Sequence, residues 1–169
     1  MDTHQLKFIL EELRFSAALP DEMLQQIACI SSLQTFAIGS LVFRESAIVR
    51  DLFLVRRGRL ALEMLVPQRG AVRIVTIGPG EMAGWSALLS EGRMTASAIA
   101  IEEVEAVVAP AKQLHDLCEA NHEFGYRLMH QMADALSKRL VATRLQMLDL
   151  FADHTSTSNA TSGKPMSDA

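Results

Sequence analysis

Residues 51–66 read Asp-Leu-Phe-Leu-Val-Arg-Arg-Gly-Arg-Leu-Ala-Leu-Glu-Met-Leu-Val, and their reading decides the fold class. Two short apolar runs, Asp51–Arg56 and Gly58–Val66, are punctuated by a glycine, and both are too short for ordinary helices. The same pattern extends on both sides. Leu33–Ile38 and Leu41–Phe43 precede it; Val72–Ile77, Thr95–Ala100 and Val104–Ala109 follow. Gly39, Gly70, Gly78, Gly80 and Gly92 mark further turns, and Pro67-Gln68-Arg69-Gly70 reads as an exposed hairpin turn. Short strands at this spacing predict an antiparallel barrel or sandwich. No room remains for the crossover helices, roughly 10–15 residues each, of a parallel sheet.

Helical periodicity brackets this region. Leu6, Ile9, Leu10 and Leu13 form one apolar stripe, and the stretch from Phe15 to Pro20 breaks it. Pro20 fits the first turn of a second helix, where its missing N–H costs little; Met23, Leu24, Ile27, Ala28 and Ile30 give that helix a buried side. From about Ala111 the pattern is helical again, with a break near Ala120-Asn121. A heptad line then runs through Met129, Ala133, Leu136, Leu140, Thr143, Met147 and Leu150. A second line passes through Phe124, Leu128, Met132 and Ala135 and resumes at Leu145 and Leu148. Two readings follow: one face covers the strands while the other pairs with a second copy, or both pack within one monomer. The expected class is therefore mainly β, an antiparallel β-roll (a jelly-roll-like double-stranded β-helix) with N-terminal helices and a long C-terminal helix. The expected domain is 1–152, its last helix about 121–152, followed by a disordered polar tail, 153–169.

Composition sets limits on function. The chain has 169 residues, enough for one domain with a true core. Sixteen Lys+Arg against 20 Asp+Glu give a formal charge of -4 and no general attraction to DNA or anionic lipid. Cys29 and Cys118 lack metal-ligand spacing; a reduced, cytoplasmic setting is the simplest expectation, with one disulfide as the alternative. No secretion signal and no apolar window of about 18 residues is visible, so no membrane partner is expected. The histidines (His4, His115, His122, His130 and His154) fall on predicted helices or in the tail, with no His-x-x-x-His pair. Ser86 lies outside any Gly-x-Ser-x-Gly and has no base beside it. No enzyme, cofactor or metal site is expected.

Ile77 to Leu89 is the segment richest in chemistry. Pro79 presets a turn, Gly80 tolerates a positive φ, and Glu81 stands at the entry to a short turn-helix carrying Met82, Trp85, Leu88 and Leu89. Free amides there would receive an anion, Arg93 would neutralise it, and Thr95 and Ser97 offer hydroxyls at alternate positions. The plainer alternatives are that Glu81 caps the helix, Arg93 is a solvated rim charge and Trp85 anchors the turn in the core.

Taken in order, several stretches resemble the cyclic nucleotide-binding domain superfamily, specifically the effector domains of catabolite activator and fumarate–nitrate regulator type. They are Phe36–Glu45, Leu52–Leu60, Gly78-Pro79-Gly80-Glu81, the strand Thr95–Ala100 and the long last helix, together spanning roughly residues 8–151. The resemblance implies a site for cAMP or cGMP beneath the last helix. Glu81 would accept from the ribose hydroxyl, while Gly80, Met82 and Ala83 with Arg93, Met94, Thr95 and Ser97 would surround the phosphate. The chain departs from the family pattern at three places. The family arginine is expected at Met94, one position after Arg93, and one residue of slip in a strand reverses side-chain direction. The cassette from Gly80 to Arg93 is slightly longer than usual, so the alternative is a bulged loop that brings Arg93 inward. Ser46 stands where glycine is common.

Only residues 153–169 follow the last helix, too few for a helix-turn-helix, so direct DNA binding is not expected. The expectation is a small-ligand sensor, homodimeric through its last helix and read by an unidentified downstream protein. The alternative is a ligand-free dimerisation or interaction scaffold of the same fold. An Arg93 pointing into a polar cavity with Glu81 favours the first. An exposed Arg93 with Met94, Leu62 or Val75 filling the interior favours the second.

Overall fold

The structure is a computed structural model that describes residues 2–89 and 91–158, with side chains described as far as residue 145. Two compact units divide the chain, Met1–Ala135 and Leu136–Ala169. The first contains α1 (Thr3–Glu12), α2 (Asp21–Ile30), β1 (Ser32–Phe36), β2 (Leu41–Phe43), β3 (Asp51–Arg57), β4 (Leu60–Val66), β5 (Gly70–Ile77), β6 (Met82–Ala83), α3 (Ser86–Leu89), β7 (Ser97–Ala100), β8 (Val104–Pro110) and α4 (Ala111–Ala120). It also contains the start of α5 (His122–Ser158), whose remainder forms the described part of the second unit.

The strands form two antiparallel sheets, ordered β1-β8-β3-β6 and β2-β7-β4-β5. Alternation assigns their faces. Phe53 and Val55 of β3, and Val104, Ala106 and Val108 of β8, join Phe43, Leu60, Ile77, Ala98 and Ala100 of the other sheet in one buried cluster. The intervening Leu52, Leu54, Val107 and Ala109 are buried as well. They occupy the opposite face of the first sheet, where α2 and α4 meet β8. A sheet buried on both faces needs continuous apolar runs, which is why Leu52–Val55 does not alternate. The edge strand β5 is exposed over most of its length, in keeping with Arg73 and Thr76 in its sequence.

Helix boundaries follow local chemistry. Asp2 accepts from the Gln5 N–H at 2.8 Å and caps α1. Lys7 ties α1 to α2 through Asp21 at 2.6 Å, with Glu11 at 2.8 Å, and these partners, Asp21 first, raise its pKa. Asn121 Oδ1 accepts from the N–H groups of Glu123 and Phe124, at 3.0 and 3.2 Å. That cap starts α5 afresh at the break expected near Ala120-Asn121. Phe124, Leu128 and Met132, on the second apolar line, are all buried.

The expected fold class requires correction. The protein is not a mainly β chain closed into a roll. It is a mixed α/β fold in which each sheet stays open, with β1 and β6, or β2 and β5, at its edges. Among the described residues five helices accompany eight strands; α5 alone has 37 residues, whereas the longest described strand has 8. Strand spacing reveals short antiparallel strands but not whether hydrogen bonds carry round from one sheet to the next, because closure depends on pairing between distant segments. α5 continues past residue 152 to Ser158, and 159–169 lie outside the described residues.

Candidate functional site

The turn Gly78–Glu81 connects β5 to β6 and lies against β3. Gly80 has φ +79° and donates to Val55 O at 2.8 Å, while Val55 N donates to Glu81 O at 2.9 Å. The Glu81 N–H donates to Gly78 O at 3.1 Å, and the Gly78 N–H returns to Glu81 Oε2 at 2.7 Å. The amides of Gly78 and Glu81 are therefore engaged within the turn, and that of Gly80 on β3. Glu81 precedes a strand and not a helix; α3 begins only at Ser86 and has four residues. Met82 and Ala83 pair with Leu54 and Phe53 of β3, and both side chains are buried.

The second half of the site is set by backbone pairing. Ile48 bridges to Arg93 antiparallel, Met94 N donates to Ala47 O at 2.9 Å, and Ser46 N donates to Met94 O at 2.8 Å. Ser46 has φ +65°, so serine takes the left-handed conformation for which glycine is common. This pairing assigns opposite directions to neighbours. Met94 is 3% exposed and packs into the cluster between the sheets, with Leu62 and Val75 against that cluster. Arg93 is exposed, and its Nη1 donates to Ser46 O at 3.1 Å. Thr95 is exposed, and the half-buried Ser97 Oγ accepts from Glu45 N at 2.9 Å.

The sequence-selected residues therefore divide into two groups. Gly80, Glu81, Met82 and Ala83 form one continuous turn and strand; among the described residues no hydrogen bond or ion pair joins Glu81 to Arg93. The cation nearest Glu81 is one that sequence reasoning missed. Arg14 Nη2 lies 3.5 Å from Glu81 Oε1, and a Cβ added at Gly80 would come within 3.0 Å of the Arg14 Cβ. No sequence signal marks Arg14, since a lone arginine after a helix is ordinarily a solvated charge.

On α5, Met129 and Leu136 are half-buried, Ala133 is exposed, Leu140 is 52% exposed and Thr143 is half-buried. Thr143 Oγ1 donates to Arg139 O at 2.9 Å, an intrahelical bond. Met147 and Leu150 lie outside the residues whose side chains are described. Both cysteines are free thiols, and burial, with Glu119 second, pushes the Cys118 thiol up. Among the described residues no cluster of three metal-ligating side chains occurs, and no helix is long and apolar enough to cross a membrane.

Residues 33–121 match the family model of the cyclic nucleotide-binding domain. Among solved structures, the chain is similar to a putative cyclic nucleotide-binding protein from Geobacter metallireducens. Identity is 31% over 83% of this chain and 98% of that one, with a TM-score of 0.70. It is similar at 26% identity to the N-terminal domain of a transcriptional regulator from Streptomyces coelicolor, over 79% of this chain and 94% of that one, with a TM-score of 0.65. The catabolite activator protein of Thermus thermophilus shares the fold at 24% identity and a TM-score of 0.66; 82% of this chain spans 63% of that one. No curated protein matches the chain.

Proposed function

This chain belongs to the cyclic nucleotide-binding domain family, a family of non-catalytic regulatory modules, and on that premise we propose that it regulates by protein contact through α5, without a cyclic phosphate between its sheets. One observation carries the reading. The position where the family arginine is expected holds Met94, packed among hydrocarbon, while Arg93 is outside in water. A phosphate needs charge-assisted donors, and Met94 has none to give. Leu140, an exposed heptad residue of α5, offers a seam for a second copy, and a separate downstream protein reads the assembled pair. Free thiols support a reducing, cytoplasmic setting.

The rival is a sensor for cAMP or cGMP, favoured by one feature: Glu81 follows a left-handed Gly80, in the order the family uses for a ribose hydroxyl. Calorimetry on dialysed protein separates the two. The expected result is no saturable heat and no melting shift with either nucleotide. Saturable binding that disappears in Arg93→Ala overturns the proposal in favour of the sensor.

The seam has its own test. Leu140→Asp places a carboxylate where a partner helix would bury it, at a cost of roughly 2 kcal/mol or more. Sedimentation is expected to show a dimer for the parent protein and a monomer for the variant; a mass unchanged by the substitution removes this helix face as the interface.

A further inference from the structure

A cavity of about 330 Å³, open to solvent, lies against Pro79-Gly80 of the turn, and three of its lining residues are arginines that the proposed function does not use. Its lining residues include Arg14, Arg56 and Arg57 with Glu12, Leu13 and Pro79-Gly80, and Arg14 and Arg56 have carboxylate partners in Glu81 and Glu105. A strand fault brings two of the arginines together. Val55 pairs with Ala106 and Arg57 with Glu105, so Arg56 is the extra residue of a bulge in β3. A bulge interrupts strict alternation, and consecutive arginines can then serve one cavity.

The three are not equally engaged. Arg56 Nη1 donates to Glu105 Oε2 at 2.7 Å, and Arg14 Nη2 lies 3.5 Å from Glu81 Oε1. The side chain of Arg57 has no hydrogen bond or ion pair among the described residues, although its backbone pairs in β3. Arg57 is exposed, so its guanidinium can meet an anion arriving from solvent without breaking an ion pair. A guanidinium fork matches phosphate oxygens two at a time. The volume is at the small end of the range for ligand sites, roughly 300–1,000 Å³.

We infer that this cavity is a binding site for a small phosphate-bearing ligand, sharing Gly80 with the Gly80–Arg93 cassette but not using Arg93. Arg14 faces both the cavity and Glu81, so an occupied cavity competes with Glu81 for its guanidinium.

The test is titration calorimetry at constant ionic strength, with inorganic phosphate in one arm and glycerol 3-phosphate in the other. Saturable binding is expected in at least one arm, and the tighter arm identifies free phosphate or a phosphomonoester as the ligand. Arg57→Ala is expected to weaken binding roughly tenfold or more, the worth of one charged hydrogen bond, while keeping the native melting transition. Arg57→Lys is expected to fall between the two, and Arg93→Ala to leave binding unchanged. Absence of saturation in both arms overturns the inference. So does an Arg57→Ala protein that binds as tightly as the parent, or an Arg93→Ala protein that loses as much as Arg57→Ala.

Discussion

Gly58→Ala is expected to destabilise the protein by about 2–5 kcal/mol. Two costs add. Gly58 holds φ +74° in the turn between β3 and β4, and a Cβ in the left-handed region costs roughly 1–2 kcal/mol. The added methyl would also stand 2.1 Å from Glu103 O and 2.8 Å from Glu103 C, both backbone atoms. Those atoms cannot rotate away, so the β3–β4 and β7–β8 turns must separate, an overpacking cost of about 1–3 kcal/mol. Arg59 O, which accepts from Ile101 N at 3.0 Å, and the Arg59–Glu102 ion pair at 3.0 Å lie in the path of that separation. Against a total stability of roughly 5–15 kcal/mol the loss is large. Gly39→Ala is the internal control: its φ is +81°, yet a Cβ there meets nothing within 4 Å. Only the conformational cost applies to it. Denaturant midpoints measured on both variants check the argument, and equal losses would mean that the Glu103 contact contributes nothing.

Met94→Arg is the second large effect, and it bears on function. The substitution installs the family guanidinium at its expected position. Arginine cannot shed its proton to suit an apolar site. Met94 lies with Phe43, Phe53, Val55 and Leu60 in the cluster between the sheets, and a buried unpaired ion costs several kcal/mol even after relaxation. The variant is expected to lose its cooperative melting transition, and cAMP is not expected to restore it. Met94→Leu, similar in volume, is expected to cost less than about 1.5 kcal/mol. Circular dichroism melts with and without cAMP give the answer. A Met94→Arg protein that melts cooperatively and saturates with cAMP would show that the space between the sheets accepts a charged ligand, and the packed reading would fail.

Much of this molecule was legible without coordinates, for reasons that differ by element. Leu52–Val55 and Val104–Ala109 announced strands because a sheet covered on both faces favours near-continuous apolar runs, broken in the second only by Glu105 beside the β3 bulge. Phe124, Leu128 and Met132 announced the buried side of α5 because helical spacing is local. The break at Asn121 was visible for the same reason: its side chain caps the residues that immediately follow it. β6 was missed, since two residues carry no period, and without it Glu81 was read as the start of a helix. The partner of Glu81 was missed as well. Arg14 reaches it from a turn that follows α1, and nothing near either residue in the chain refers to the other.

Residue order alone determined that short antiparallel strands stand between helices, that Gly80 and Glu81 form a turn, and that the family words occur in family order. These are properties of neighbours a few positions apart, which periodicity and turn chemistry report directly. Whether the sheets close, which way Arg93 and Met94 face, and which arginines gather around a cavity were decided only in three dimensions. Each depends on pairing between remote segments: Ile48 with Arg93, Ser46 with Met94, and Arg57 with Glu105. A single residue of register there turns a charge outward and a thioether inward, and no local pattern carries that information.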